Sequence, residues 1–153
     1  MAIIALKGVL KKDIPTVDLY LDQLQKALKI NRLYSKVIFI TFKKWVQEGS
    51  AMGDCTGNKT YAQINISKQL SFEDQMITLA HEMVHAEQFL RGDLTDTFMY
   101  KGRNFSECIY ENQPWELRAH AQEEKLYKKC FPSWKSWKGF PHNDDIYWEK
   151  KWK

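Results

Sequence analysis

Residues 71–92 constrain the fold more than any other segment, because they predict one long helix that is mostly buried. Ser71 and Asp74 have the spacing of a capping box, so we expect the helix to begin at residue 71 or 72. Gly92 follows the last periodic residues and matches a common C-terminal cap. Between these ends, apolar residues recur at helical spacing over a wide face: Met76, Leu79, Ala80, Met83 and Val84. We therefore expect a central helix.

The flanking segments predict two more helices and two strands. Two segments have a proline near their start, where the first turn of a helix tolerates one, and residues typical of a helix after it. They predict helices over about 14–31 and 114–129. The β-branched and aromatic run 36–42 predicts a buried strand, and the alternation over 60–67 predicts an edge strand with one solvent-facing side. Residues 93–109 have no clear period, so we expect a loop that holds at most a short strand. These elements predict an α+β fold with a small mixed or antiparallel sheet.

Composition is typical of a globular protein. The 153 residues suffice for one domain, 1–153, and are too few for two of ordinary size. No run approaches the ~20 apolar residues of a membrane span, and the N-terminus lacks the pattern of a secretory signal. The three cysteines, which form no CxxC pair, fit a reducing compartment, and we expect Cys55 to be a buried thiol. The sequence thus predicts a cytoplasmic protein without a membrane partner.

The predicted central helix contains a motif of metal-binding type, His81-Glu82-Met83-Val84-His85, which matches HExxH. Residues four apart lie on one helical face, so both histidines can present a nitrogen to one metal ion. Glu82 projects beside that ion without binding it, where it can deprotonate a water molecule. This geometry suits Zn²⁺.

A catalytic zinc ion needs three protein ligands and one open position, so the chain must supply a third ligand. The downstream candidates are Glu116, His120 and His142. Glu116 and His120 are four residues apart in the predicted third helix and therefore share one face. Only one of them needs to bind the metal, and spacing alone does not choose between them.

HExxH followed by Glu116-Leu117-Arg118-Ala119-His120 resembles the small zincin metallopeptidases of the glutamate-ligand type, the gluzincins, in which a later ExxA motif completes the metal site. The order of elements is similar to the minimal zincin domain of SprT-like and ImmA-like proteins, over about residues 13–128. This resemblance implies a sheet packed on an N-terminal helix, an HExxH active-site helix and a C-terminal ligand helix. SprT-like proteins typically use a third histidine, which leaves a site of His81, His85 and His120 open.

The resemblance also implies an activity, the zinc-dependent hydrolysis of peptide bonds, and the small size of the domain favours a narrow set of protein substrates. It makes His81, His85 and Glu116 the ligands of one Zn²⁺. Glu82 becomes the general base that takes a proton from water and passes it to the leaving amine. His120 takes the position of a polar residue that hydrogen-bonds a ligand imidazole.

Two further parts of such a site have candidates in the sequence. Tyr100, Tyr110 or Arg118 can stabilise the oxyanion of the transition state, and the sequence does not choose among them. The predicted edge strand 60–67 can pair with an extended peptide or protein substrate by β-augmentation.

Residues 131–153 form an aromatic, basic tail that contains four of the six tryptophans: Trp134, Trp137, Trp148 and Trp152. Such a segment can stack bases and contact phosphates, so DNA or a DNA-bound protein is a possible partner; packing back over the domain is the alternative. A second hypothesis for the function follows, a zinc-containing module that binds nucleic acid or protein through this tail without peptidase activity. A third is an interaction protein with an accidental HExxH, which would contain no metal.

Overall fold

The computed structural model describes residues 2–44, 46 and 52–132. The predictions for Trp134 onward and for His142 lie outside these residues. In chain order the helices and strands are β1 (Ile3–Lys7), α1 (Ile14–Ala27), β2 (Val37–Lys43), β3 (Gly53–Gly57), β4 (Tyr61–Ser67), α2 (Phe72–Leu90), β5 (Met99–Tyr100), β6 (Arg103–Asn104) and α3 (Pro114–Cys130). This set confirms the predicted α+β fold. None of the described helices is both long enough and apolar enough to cross a bilayer.

Four strands form the main sheet in the order β1-β2-β4-β3. β1 is parallel to β2 and β2 is parallel to β4, whereas β3 is antiparallel to β4 with Cys55 opposite Ile64. The edges of this mixed sheet are therefore β1 and β3. The short strands β5 and β6 pair with each other within the segment for which the sequence predicts a loop.

The prediction that residues 60–67 form an edge strand is wrong, because β4 lies between β2 and β3. The alternation of apolar and polar residues along a strand indicates that its two faces have different surroundings. It does not indicate which strands lie on either side. The true edge strand beside β4 is Gly-Asp-Cys-Thr-Gly, a composition with weak strand propensity.

β1 likewise has no counterpart among the predicted elements. Its residues pair with β2 along their whole length, from Ile3 opposite Val37 to Lys7 opposite Thr41. The folded unit therefore begins before residue 13, where the resemblance to the minimal zincin domain starts.

The helices cover one face of the main sheet. Alternate residues of β2 and β4 are buried on that face: Ile38, Ile40, Phe42, Ala62, Ile64 and Ile66. On the opposite face, Phe39 and Tyr61 are each 41% exposed, with their rings in contact. The hydroxyl of Tyr20 on α1 donates a hydrogen bond to the carbonyl oxygen of Met76 on α2 at 2.7 Å, which joins the two helices inside the core.

Helix α2 has the ends that the sequence predicts. Ser71 Oγ accepts a hydrogen bond from the backbone N–H of Asp74 at 3.1 Å, and Gly92 adopts a φ of +80° just past the C-terminus. Every side chain from Thr78 to Leu90 is buried. Since buried polar groups need partners, the polar residues of this helix must find theirs inside the protein.

Helix α3 packs antiparallel to α2. His85 lies beside Glu116 near one end of the pair, and the rings of Phe72 and Phe131 are 6.0 Å apart near the other end. This packing lays the first two turns of α3 against the HExxH segment.

Candidate metal centre

Helices α2 and α3 bring three ligand atoms to one point. Nε2 of His81 and Nε2 of His85 are 3.2 Å apart, and each lies 3.1 Å from an oxygen of the Glu116 carboxylate. His81 and His85 are almost completely buried, and Glu116 is only slightly more exposed. The sequence-predicted ligands therefore form one compact group of the kind that can hold a metal ion.

The spacing of these atoms fits a tetrahedral metal site. Ligands about 2.0–2.1 Å from a zinc ion at tetrahedral angles are about 3.3 Å from one another. The observed separations of 3.1–3.2 Å are close to that value. Two imidazoles and one carboxylate also leave the fourth position of such a site to water or substrate.

The outer nitrogens of both histidines have partners that fix the tautomer. His81 Nδ1 is 2.7 Å from Glu123 Oε1, and His85 Nδ1 is 2.8 Å from Gln88 Oε1. Both partner atoms are acceptors, so each Nδ1 donates its hydrogen outward, and in the neutral imidazole this leaves the Nε2 lone pair to face the common centre. Three electron-rich atoms that converge in a buried site require a cation or protons among them.

The pKa values of His81 and Glu116 are also shifted in the directions that favour positive charge in this cluster. Burial by itself lowers the pKa of His81, but its hydrogen bond with Glu116 and the charge of Glu82 outweigh burial and raise that pKa to about 9. Burial raises the pKa of Glu116, yet hydrogen bonds from His81 and His85 outweigh it and hold the pKa well below its usual range. The cluster thus favours positive charge between the histidines and the carboxylate.

Glu82 lies beside this cluster without taking part in it. Its side chain is buried, 5% exposed, and it has no hydrogen-bond or ion-pair partner among the described residues. Burial raises its pKa to about 7, although His85 and His81 act in the opposite direction. A carboxylate with such a pKa can both accept and release a proton near neutral pH.

A cavity of about 740 Å³ lies over the cluster. Its walls come from one face of α2, from α3, from Tyr110 and from the edge strand β3, which contributes Gly53, Asp54 and Cys55. A Cβ atom on Gly53 would lie only 2.8 Å from Thr78 Cγ2, so this glycine lets β3 pack closely against α2. The three ligand residues and Glu82 all line the cavity.

The three candidates for oxyanion stabilisation differ in position. Tyr110 lines the cavity, and its hydroxyl donates a hydrogen bond to Glu116 Oε1 at 2.9 Å. Tyr100 packs instead with Trp115 in a small apolar cluster, and Arg118 forms an ion pair with Glu87 at 2.8 Å. Neither Tyr100 nor Arg118 lines the cavity, which leaves Tyr110 as the candidate at the site.

His120 makes no hydrogen bond to His81 or His85 in the described part of the chain, although the resemblance implies one. It is half exposed, its ring packs against the ring of His81 at 4.6 Å, and its Nδ1 lies 3.3 Å from Glu123. The partner of the ligand imidazole is Glu123, one turn further along α3. Sequence spacing contains a signal for it, because Glu123 follows Glu116 by seven residues and therefore lies on the same helical face.

The alternative metal site does not assemble. His120 groups with His81 and Glu123 as a second possible metal-binding set, but it does not group with His81 and His85 together.

Cys55 is only partly buried, whereas the sequence predicts a buried thiol. It lines the cavity, where burial and then the charges of Glu82 and Asp54 raise its pKa well above the usual value. The thiol therefore stays protonated at neutral pH and is a poor nucleophile.

Comparison with known proteins finds no matching family, no matching curated protein and no matching solved structure for this chain.

Proposed function

We propose that this chain is a zinc-dependent metallopeptidase of the gluzincin type, in which His81, His85 and Glu116 hold one Zn²⁺. The observation that carries the proposal is the convergence of three ligand atoms within 3.1–3.2 Å, beside the buried and unpartnered carboxylate of Glu82. Histidines that only fill a core need no such convergence, and a purely structural metal site has no use for an additional carboxylate that binds nothing.

Each residue has a distinct role in this proposal. Bound zinc supplies a Lewis acid that polarises the scissile carbonyl and lowers the pKa of a water molecule to about 7. Glu82 takes the proton from the attacking water and delivers it to the amine nitrogen as the C–N bond breaks and the new C–O bond forms. The hydroxyl of Tyr110, which donates to Glu116 Oε1 in this structure, would turn from that carboxylate to donate its hydrogen to the developing oxyanion. Glu123 and Gln88 keep His81 and His85 in the tautomer that presents Nε2 to the metal.

The edge strand β3 is the part of the sheet that a peptide substrate meets. It pairs with β4 on one side, and its residues Gly53 to Cys55 line the cavity that contains Glu82. An extended peptide that adds to β3 by β-augmentation crosses the HExxH helix with its backbone beside the metal position. This arrangement replaces the substrate contact predicted for residues 60–67.

The metal part of the proposal is tested by metal content, measured by mass spectrometry on purified protein. We expect one zinc per chain in wild type, and loss of that zinc in His81→Ala and in Glu116→Ala. His120→Ala is the matched control, because it removes a histidine next to the cluster that is not one of the three ligands, and it should retain the metal. A wild-type protein that binds no zinc after reconstitution overturns the proposal.

The catalytic part is tested by digestion of a fluorogenic peptide library. Glu82→Gln should retain zinc and lose activity by about 10²–10⁴-fold, the usual contribution of a general base. Glu73→Gln, which makes the same change on an exposed turn of the same helix, should retain both. Equal activity of Glu82→Gln and wild type would show that the carboxylate has no catalytic role.

A further inference from the structure

We propose that the cleft selects substrates with a lysine or arginine side chain next to the bond that is cut, and that Asp74 and Glu124 bind this cationic group. The assignment rests on the proposed function and adds a substrate class to it.

The cavity is strongly acidic although the chain as a whole is basic. Among the described residues, its lining contains no lysine or arginine and six carboxylates, Asp54, Asp74, Glu82, Glu116, Glu123 and Glu124. The whole chain has a net charge of +4. Negative charge therefore predominates among the described lining residues, and their field attracts cations into the cavity.

Most of these carboxylates have partners in the proposed site. A divalent ion at the centre would offset the charge of Glu116, and Glu123 contacts both His81 and His120. Asp74 has no ion-pair partner among the described residues. Glu124 faces Lys128 at 4.0 Å, but both side chains are largely exposed, so this contact is weak. Asp74 and Glu124 thus retain charge that is available to a ligand.

The antiparallel packing of α2 and α3 places these two carboxylates toward the same end of the cavity. Asp74 precedes His81 by seven residues and Glu124 follows Glu116 by eight, so each lies about 10–12 Å from its ligand along its helix axis. One or two residues of an extended peptide span about 3–7 Å, and the four-carbon stem of a lysine covers the remaining distance. A basic residue close to the scissile bond can therefore reach this end.

Glu82 supplies an independent reason to expect a ligand in the same cavity. Its carboxylate is 95% removed from solvent, since only 5% of the residue is exposed, and it lines the cavity without a hydrogen-bond partner in the described part of the chain. A ligand that enters the cavity therefore meets an unsatisfied acceptor in addition to the acidic wall. The same charges repel phosphate groups, so this cleft suits a cationic peptide and excludes a nucleic-acid backbone.

The test measures peptide binding to the zinc-loaded Glu82→Gln protein, which retains the cleft and does not cut. Fluorescent peptides that differ only by lysine, norleucine or glutamate at one position are titrated by anisotropy, with that position scanned along the peptide. At one position we expect lysine to bind about 5–10-fold tighter than norleucine at low salt, and this difference should shrink at about 0.5 M salt.

Adding Asp74→Asn and Glu124→Gln to that protein should abolish the preference for lysine over norleucine. Adding Glu73→Gln is the matched control, since Glu73 precedes Asp74 in the same helical turn and does not line the cavity. The preference should survive this change.

Two results overturn the inference. One is equal binding of lysine and norleucine peptides at every position, and the other is a preference that persists without Asp74 and Glu124. Hydrolysis by wild type separates this inference from the proposed function. If wild type cuts peptides without a preference for basic residues, only the proposed substrate class is wrong. If the zinc-loaded protein binds lysine peptides selectively but never cuts them, only the proposed peptidase activity is wrong.

Discussion

Glu123 Oε1 on α3 lies 2.7 Å from Nδ1 of His81 on α2, so the outer partner of one candidate ligand histidine comes from a different helix. Because His85 is held by Gln88 of its own helix, the two ligands are oriented in different ways. Gln88 in turn donates a hydrogen bond to the carbonyl oxygen of Trp115 at 3.3 Å, in the first turn of α3. The packing of α3 therefore controls both ligand orientations.

Replacing Glu123 should weaken metal binding without removing a ligand. We expect Glu123→Leu to lower zinc affinity by about 10–100-fold, the usual effect of losing the outer partner of a ligand histidine. Glu123→Gln should lower the zinc affinity by a smaller factor, since its amide oxygen can still accept the Nδ1 hydrogen of His81. Competition with a chromophoric chelator measures the affinities, and Glu73→Gln, which changes a carboxylate outside the cavity, serves as the control. Unchanged affinity in Glu123→Leu would contradict the orienting role.

Removing the hydroxyl of Tyr110 should affect turnover more than metal binding. We expect Tyr110→Phe to retain zinc and to lower kcat by about 10²-fold, since loss of one oxyanion donor has an effect of that order. Tyr100→Phe is the matched control, because Tyr100 packs against Trp115 away from the cavity. Steady-state kinetics on one peptide check both variants. An equal kcat in Tyr110→Phe and wild type would mean that a different group stabilises the oxyanion.

The buried Glu87 should contribute to folding stability through two arginines. Arg91 Nε lies 2.7 Å from one of its oxygens and Arg118 lies 2.8 Å from the other, while Arg91 also donates to the carbonyl oxygen of Leu28 at 3.0 Å. We expect Glu87→Ala to lower the free energy of unfolding by about 1–3 kcal/mol, less than for a fully buried network because both arginines are about one-third exposed.

Urea unfolding measures this difference in stability. Asp22→Ala, which removes the exposed pair between Asp22 and Lys26, is the control and should change the stability by less than about 0.5 kcal/mol. Similar small effects for both variants would argue against a structural role of Glu87.

The buried hydroxyl of Tyr20 should make the protein sensitive to alkaline pH. Burial, followed by the nearby Cys130 and Tyr127, raises the pKa of Tyr20 far above its usual value of 10.0. Because the folded state holds this proton more tightly than the unfolded state, the stabilisation is complete below about pH 10 and is lost as the pH rises further, by about 1.4 kcal/mol for each unit.

Urea midpoints between about pH 9 and 12 test this dependence. Tyr20→Phe should lose about 1 kcal/mol at neutral pH, where the hydrogen bond to Met76 is missing, and should show a smaller decline at high pH. A decline of equal slope in both proteins would place the alkaline sensitivity elsewhere.

The helices and the shared face of the HExxH histidines could be predicted because their signals are local. Ser71 caps α2 through an N–H only three residues away, and Gly92 ends the helix by its own backbone conformation. His81 and His85 share a face by helix geometry alone. These features need no information about the rest of the chain.

The order of the strands could not be predicted in the same way. The alternation of apolar and polar residues in 61–67 indicates which side chains face the helices. The position of β4 in the sheet depends instead on pairing with two distant segments. One of these partners, β3, has two glycines in five residues and so lacks a strand signature. Its place beside Glu82 results from close packing of Gly53 against Thr78.

The sequence by itself determined the helix that holds His81, Glu82 and His85, and it limited the third ligand to a few residues downstream. Tertiary structure groups Glu116, and not His120, with both His81 and His85, although Glu116 and His120 are only four residues and therefore about 6 Å apart along α3. The antiparallel packing of α3 on α2 sets Glu116 between the two imidazoles and moves His120 beside the outer face of His81. That offset arises from long-range contacts between helices, which no local pattern encodes.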